Sequence, residues 1–149
     1  MKGRAFLACK VLSNITIPNS VRTIEFNTFA NCYTFTNIVI PSSVTSIGDY
    51  AFYYCTSLTE VTLPQYLTDI GFLTFNSCNP NFKIKGYIGS YAQVYAISNS
   101  LPFEELLIPS YTVTFNSEGG SVIQSVQANE NTLISAPTAP TKTGYTFGG

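Results

Sequence analysis

The feature that most constrains this chain is a period. Its four cysteines, Cys9, Cys32, Cys55 and Cys78, stand 23 residues apart, and each follows a phenylalanine by three positions: Phe6, Phe29, Phe52 and Phe75. Other columns keep the same step. Leu12, Phe35 and Leu58 form one; Ile15, Ile38, Val61 and Ile84 another; Ile17, Ile40 and Leu63 a third. Pro18, Pro41 and Pro64 align, as do Val21, Val44 and Leu67, and Ile24, Ile47 and Ile70. A period of this length specifies a solenoid, in which each coil buries its apolar face only against its neighbours.

One coil reads A/T-F-x-x-C-x-x-L-x-x-I-x-I-P-x-x-V-x-x-I. Residues 58–63 (L-x-x-V-x-L) alternate inward and outward as a short strand does. The proline that follows cannot donate to a ladder and ends the strand. Pro-Asn-Ser at 18–20 and Pro-Ser-Ser at 41–43 are turn chemistry. Stacked coils lay such strands side by side as a parallel sheet, spaced ~4.8 Å.

The run IPSSVTSIGDYAFYYCTSLTEVTLP resembles the BspA-like leucine-rich repeat family, whose repeats are 23 residues long. The resemblance covers roughly residues 5–103. It departs from the pattern at Glu25, where later copies have Gly48 and Gly71, and at Thr28 and Thr74, which replace a small alanine. It implies a β-rich solenoid with a parallel sheet. It also implies a non-catalytic bacterial cell-surface or secreted protein that mediates adhesion or protein–protein binding. Its partner would be a protein or glycan ligand, such as a host surface or matrix protein.

The fourth copy loses its regularity after Cys78, and Lys83-Ile84-Lys85 reads as a last, more charged strand. GSYAQVYAISNSLPF then carries Ser90 and Gln93 at capping-box spacing, with Tyr91, Val94 and Tyr95 on one helical face. A helix over this stretch, with 87–103 as a C-terminal cap, would cover the open end of the stack; the same stretch is similar to the helix that closes such arrays in the family. Residues 104–110 read as a linker. Beyond it Tyr111, Val113 and Phe115 alternate, Gly119-Gly120 marks a turn, and a second strand is expected near 122–126. YTVTFNSEGGS and PTKTGYTFGG resemble the internalin B-repeat, or Listeria–Bacteroides repeat, a small β-grasp-like module. In that family a tryptophan and further strands follow the Gly-Gly. Residues 111–149 therefore read as the first half of a truncated module, at about the size below which a domain seldom folds alone.

Composition excludes several classes of function. Charged residues are 10% of the chain and the net charge is −1, which gives no nucleic-acid footprint. No apolar run approaches the roughly 18 residues of a membrane span. The opening MKGRAFLACKVL already belongs to the repeat and is read as repeat, not leader. With no histidine, the chain lacks Ser-His-Asp chemistry and a partner to activate a thiol. Four thiols in parallel columns do not converge on a zinc ion, and their parallel Cβ vectors suit disulfides poorly. They read as buried small hydrophobes with no designed hydrogen-bond partner. Glu104-Glu105, adjacent in an extended segment, point to opposite faces and make no carboxylate dyad. No cofactor or metal motif is present. The expectation is a protein that is not an enzyme.

Two sets of side chains escape the packing pattern. On the sheet face the outward rows are Asn14, Asn37, Glu60 and Lys83, and beside them Thr16, Val39, Thr62 and Lys85. These are the candidate partner-binding residues, with Glu60 expected next to Lys83. Tyr53 and Tyr54 fill the variable slots between Phe and Cys, where other copies have Leu-Ala, Ala-Asn or Asn-Ser, and form the alternative binding site. Two other roles fit the same residues: a structural spacer within a larger surface protein, or an accessory region of an enzyme encoded beyond residue 149.

Overall fold

The computed structural model describes residues 1–117, 119–129 and 132–146. The chain divides into two compact units, Met1–Leu106 and Leu107–Gly149. In chain order the first unit contains β1 (Thr23–Ile24), β2 (Asn37–Val39), β3 (Ser46–Ile47), β4 (Glu60–Thr62), β5 (Asp69–Ile70), β6 (Lys83–Gly86), α1 (Tyr91–Ser98) and β7 (Phe103–Glu105). The second contains β8 (Ser110–Val113) and β9 (Val126–Asn129).

The first unit is a parallel β-solenoid, and each coil advances the chain by one 23-residue period. One sheet has the order β2-β4-β6-β7, with Asn37 opposite Glu60, Glu60 opposite Lys83, and Lys85 opposite Glu104. A second, β1-β3-β5, pairs Ile24 with Ile47 and Ile47 with Ile70. The V-x-x-I columns that looked like core filling thus also form a ladder. Its strands are two residues long, too short to register as an alternating pattern.

A third ladder runs up the turns between the sheets. Tyr50, Phe52 and Tyr54 donate their backbone amides to the carbonyls of Phe72, Thr74 and Asn76, at 2.9, 3.0 and 3.0 Å. Asn27, Phe29 and Asn31 do the same to Asp49, Ala51 and Tyr53. Aiming alternate amides along the stack requires left-handed backbone at two positions per coil. These are Arg4 and Ala8, Asn27 and Asn31, Tyr50 and Tyr54, Leu73 and Ser77, all with φ between 49° and 61°. Only asparagine among these types adopts that region with ease. Close approach explains another column: a Cβ on Gly71 would lie 2.5 Å from the Asp49 amide nitrogen and 2.7 Å from the Gly48 carbonyl carbon. Where Glu25 replaces that glycine, its carboxylate accepts the Gly3 amide at 2.7 Å. Thr28 and Thr74 keep their hydroxyls satisfied although buried, donating to Glu25 O at 2.6 Å and Gly71 O at 2.8 Å.

The core is an aromatic column. Phe6, Phe29, Phe52 and Phe75 stack face to face with centroids 5.2–5.4 Å apart. Phe82, just outside the repeat register, continues the stack at 5.2 Å, and Tyr95 of α1 meets Phe75 edge-on at 6.1 Å. The helix therefore closes the column, but with a different face from the one the spacing suggested. Ala92 and Ala96 are buried, Tyr95 is half-buried, and Tyr91 and Val94 are exposed. Small residues win because α1 lies close over β6; a Cβ on Gly86 would stand 3.1 Å from that of Ala92. The capping box is also displaced. Ser90 Oγ is buried without a hydrogen bond, while Gln93 Oε1 accepts the Gly89 amide at 2.8 Å. After α1 the chain returns to the sheet as β7, so Phe103–Glu105, spanning the end of the cap and the start of the linker segment, forms a strand.

In the second unit β8 and β9 are antiparallel, with Val113 opposite Val126. The second strand begins at Val126 rather than near 122. Ser121 is drawn instead to Thr141, through an amide–carbonyl bond of 2.8 Å and a return bond from the Thr141 amide to Ser121 Oγ at 2.9 Å. Gly119 takes a left-handed φ of 81° in the expected turn. Glu118 of that turn and the closing Phe147-Gly148-Gly149 of the module motif lie outside the described residues.

No side chain among the described residues of 107–146 is fully buried, whereas the first unit holds a continuous core. Limited proteolysis is expected to cut within 107–146 and leave Met1–Leu106 intact by mass spectrometry; first cuts inside the coils would contradict this. Replacing Ser77, an exposed left-handed residue, with the asparagine that serves at Asn31 is expected to stabilise by about 0.5–1 kcal/mol in urea unfolding.

Candidate functional site

The outward positions of β2, β4 and β6 form the expected face, with one change. Asn37, Glu60 and Lys83 stand in register, as do Val39, Thr62 and Lys85. Asn14 and Thr16 do not extend these rows, because β2 is the edge of the sheet. The later coils enter their strands through backbone bonds, Thr59 N to Thr36 O at 2.8 Å and Lys83 N to Thr59 O at 3.0 Å. In the first coil a side chain takes that place: the Thr34 hydroxyl bonds Leu12 O at 2.9 Å, and no ladder follows. A cleft of about 310 Å³ separates the segment holding Asn14 and Thr16 from Asn37, Val39 and Pro41.

Charge on this face is neutralised internally. Lys85 Nζ lies 3.0 Å from Glu60 Oε2 and 3.4 Å from Glu104 Oε1, and Lys83 Nζ bonds Glu104 at 2.5 Å. Glu60 is thus opposite Lys83 in register, as expected, but its carboxylate engages Lys85. The cause is Glu104, which attracts Lys83 and whose strand the sequence had as linker. The hydrogen bond to Glu60 holds the Lys85 ammonium above its ordinary pKa, and the bond from Lys83 holds the Glu104 carboxyl below its own. Such exposed pairs add little stability; their effect is to remove free charge from the face. Asn37, Val39 and Thr62 remain uncharged, with Val39 65% exposed.

Tyr53 and Tyr54 lie on the turn edge, away from both sheets. They belong to a larger aromatic surface. Tyr33 meets Tyr54 edge-on at 6.2 Å, Tyr54 tilts against Tyr53 at 5.9 Å, Tyr53 meets Tyr50 at 5.6 Å, and Tyr50 meets Phe72 at 5.8 Å. Tyr33, Tyr50 and Phe72 were not singled out from the sequence. The available signal was that Tyr50 occupies the same left-handed column as Asn27, where a bulky side chain is unexpected.

The thiols sit inside the stack, and all four are free. Each of the last three reaches the preceding coil: Cys32 Sγ to Phe6 O at 3.1 Å, Cys55 Sγ to Phe29 O at 3.2 Å, Cys78 Sγ to Phe52 O at 3.4 Å. The reading that they lack a partner is therefore corrected; the carbonyl of the stacked phenylalanine accepts the S–H bond. Burial raises the Cys32 and Cys55 thiols above their ordinary pKa and pushes Cys78 up to about 12. Among the described residues no group of three or more His, Cys, Asp or Glu side chains gathers to hold a metal.

Comparison with known proteins places this architecture. Residues 1–92 match the BspA type leucine rich repeat region in six copies, and the chain belongs to that family. Residues 111–149 match the Listeria-Bacteroides repeat domain. The solenoid is similar to a crystal structure of a leucine-rich repeat protein from Bacteroides ovatus, at 27% identity and a TM-score of 0.59 over 70% of this chain. The match spans 27% of that protein. No curated protein matches the chain. Both matched families are repeat families, and no helix among the described residues is long and apolar enough to cross a membrane.

The burial of the thiols carries a prediction. Cys32 and Cys55 are expected to react with a thiol reagent only on the timescale of unfolding, followed by mass shift. Because Phe29 O remains within reach, Cys55→Ser is expected to cost only about 1 kcal/mol, where an unsatisfied buried hydroxyl would cost up to about 3 kcal/mol. Fast labelling of the native protein would refute the assignment.

Proposed function

We propose that this chain is a non-catalytic binding module of a cell-surface or secreted bacterial protein, acting in adhesion or protein–protein recognition. The observation that supports it is the uncharged part of the sheet face. Asn37, Val39 and Thr62 project from adjacent strands held rigid by backbone ladders, and none packs inward. The lysines beside them are already neutralised by Glu60 and Glu104. A partner protein lying across the strands would then be recognised by hydrogen bonds and shape rather than by charge, with Lys83, Lys85 and Glu60 as a polar rim and Asn14 and Thr16 across the cleft. Repeat stacking makes such a surface stiff, so little ordering is needed when a partner binds.

The test uses the whole chain on an array of extracellular-matrix and serum proteins. Changing Asn37 and Thr62 together to Arg is expected to abolish binding to the captured protein while the melting temperature hardly moves, since both side chains face solvent. Retained binding by the Arg pair would show the wrong face had been chosen, and no binding at all by the native chain would favour the spacer role.

A further inference from the structure

The turn edge of the third coil breaks a local rule. Its two left-handed positions hold Tyr50 and Tyr54, both at φ 58°, where the second coil has Asn27 and Asn31. A β-carbon with a large side chain is disfavoured there; Arg4 and Leu73 in the same column share this cost, and the third coil differs in carrying an aromatic ring at both positions. Backbone strain that carries an exposed aromatic cluster motivates a search for function there. The strain also has a pattern. It places two rings of one continuous ridge, Tyr33–Tyr54–Tyr53–Tyr50–Phe72, with successive rings crossing at 81°, 37°, 83° and 87°. Tyr54 is 44% exposed and Phe72 65%.

From this ridge we infer a second binding site, one that takes a neutral, extended oligosaccharide. Three observations select that chemistry. The segments forming this edge, 27–31, 50–54 and 72–77, contain no charged residue. The neighbouring Asp49 is occupied, its Oδ1 accepting the Phe72 amide at 2.7 Å. Within the ridge itself a ligand therefore meets rings and hydroxyls rather than a formal charge, with Arg4 of the first coil and the Asp49 carboxylate flanking it. Among the described residues the hydroxyls of Tyr50, Tyr53 and Tyr54 make no hydrogen bond, and Tyr54 is exposed while Tyr50 and Tyr53 are half-buried. A sugar ring presents a C–H face and equatorial hydroxyls, so it can cover a tyrosine ring and bond its hydroxyl at once. Coils repeat at ~4.8 Å, which lets contacts recur along a chain of sugars rather than at a single residue. The site lies apart from the sheet face and does not depend on it.

Because the chain has ten tyrosines and no tryptophan, its intrinsic fluorescence reports on tyrosines alone. The whole chain is titrated with cellohexaose, xylohexaose, chitohexaose and maltohexaose, and binding is read by tyrosine emission and by calorimetry. At least one is expected to bind saturably. Tyr53→Ala with Tyr54→Asn is expected to weaken it by about tenfold or more, and because asparagine suits the left-handed position, the variant should melt no lower than the parent. Asn37→Arg with Thr62→Arg should leave saccharide binding unchanged. Three results overturn the assignment: none of the four saccharides binds, the ridge variant binds as tightly as the parent, or the sheet-face pair abolishes sugar binding. Binding of a peptide or anionic polysaccharide in place of these neutral sugars also overturns it.

Discussion

Everything in the solenoid depends on one repeated contact, a phenylalanine ring lying flat on the ring of the coil below. The stacked pairs from Phe6 to Phe82 keep centroid distances of 5.2–5.4 Å. That spacing is within the favourable range for offset aromatic rings and near the strand spacing of ~4.8 Å. One side chain thus fixes the rise of the coil and fills its centre. The same residue's carbonyl receives the thiol of the next coil, so the Phe–Cys pair is a single device joining neighbours by ring face and by S–H bond. Cysteine fits because it is small, soft and content in an apolar site.

The ladders follow from that rise. Once coils are one strand spacing apart, backbone amides and carbonyls pair across the sheets and across the turns, and the turns can do so only through left-handed residues. This explains why the turn edge tolerates substitutions that the core does not. Its hydrogen bonds are made by the backbone, so the ladder does not fix the side chains at 50 and 54, whose rings join their aromatic neighbours on the edge. The sheet face is the opposite case: its side chains are unstrained, and its charges are arranged to cancel one another.

The period made the core legible. Phe29, Phe52, Leu58, Val61 and Ile84 are all buried where their columns placed them. Departures occurred where the period stops. Phe82 sits one residue beyond the Leu12–Phe35–Leu58 column yet takes the end of the stack. Glu104 lies outside the repeat, so its capture of Lys83 could not be read from spacing. The helix existed as expected, but its inward face was set by how near α1 lies to Gly86, which favoured alanines over the larger Tyr91 and Val94. Asn14 and Thr16 shared the column of the sheet face without joining its ladder, because a column records side-chain direction and not which backbone bonds form.

The sequence by itself determined the repeating architecture, the buried columns, the place of the thiols inside the stack, and which side chains of the coils face outward. Each of these follows from identity and interval within one coil, and a regular stack copies them from coil to coil. Only the tertiary structure decided which outward residues meet. The pairing of Glu60 with Lys85, the closure by Phe82 and Tyr95, and the joining of Tyr33, Tyr50, Tyr53, Tyr54 and Phe72 into one ridge all arise between coils. Such contacts depend on distances and backbone dihedral angles that appear only when the coils are stacked.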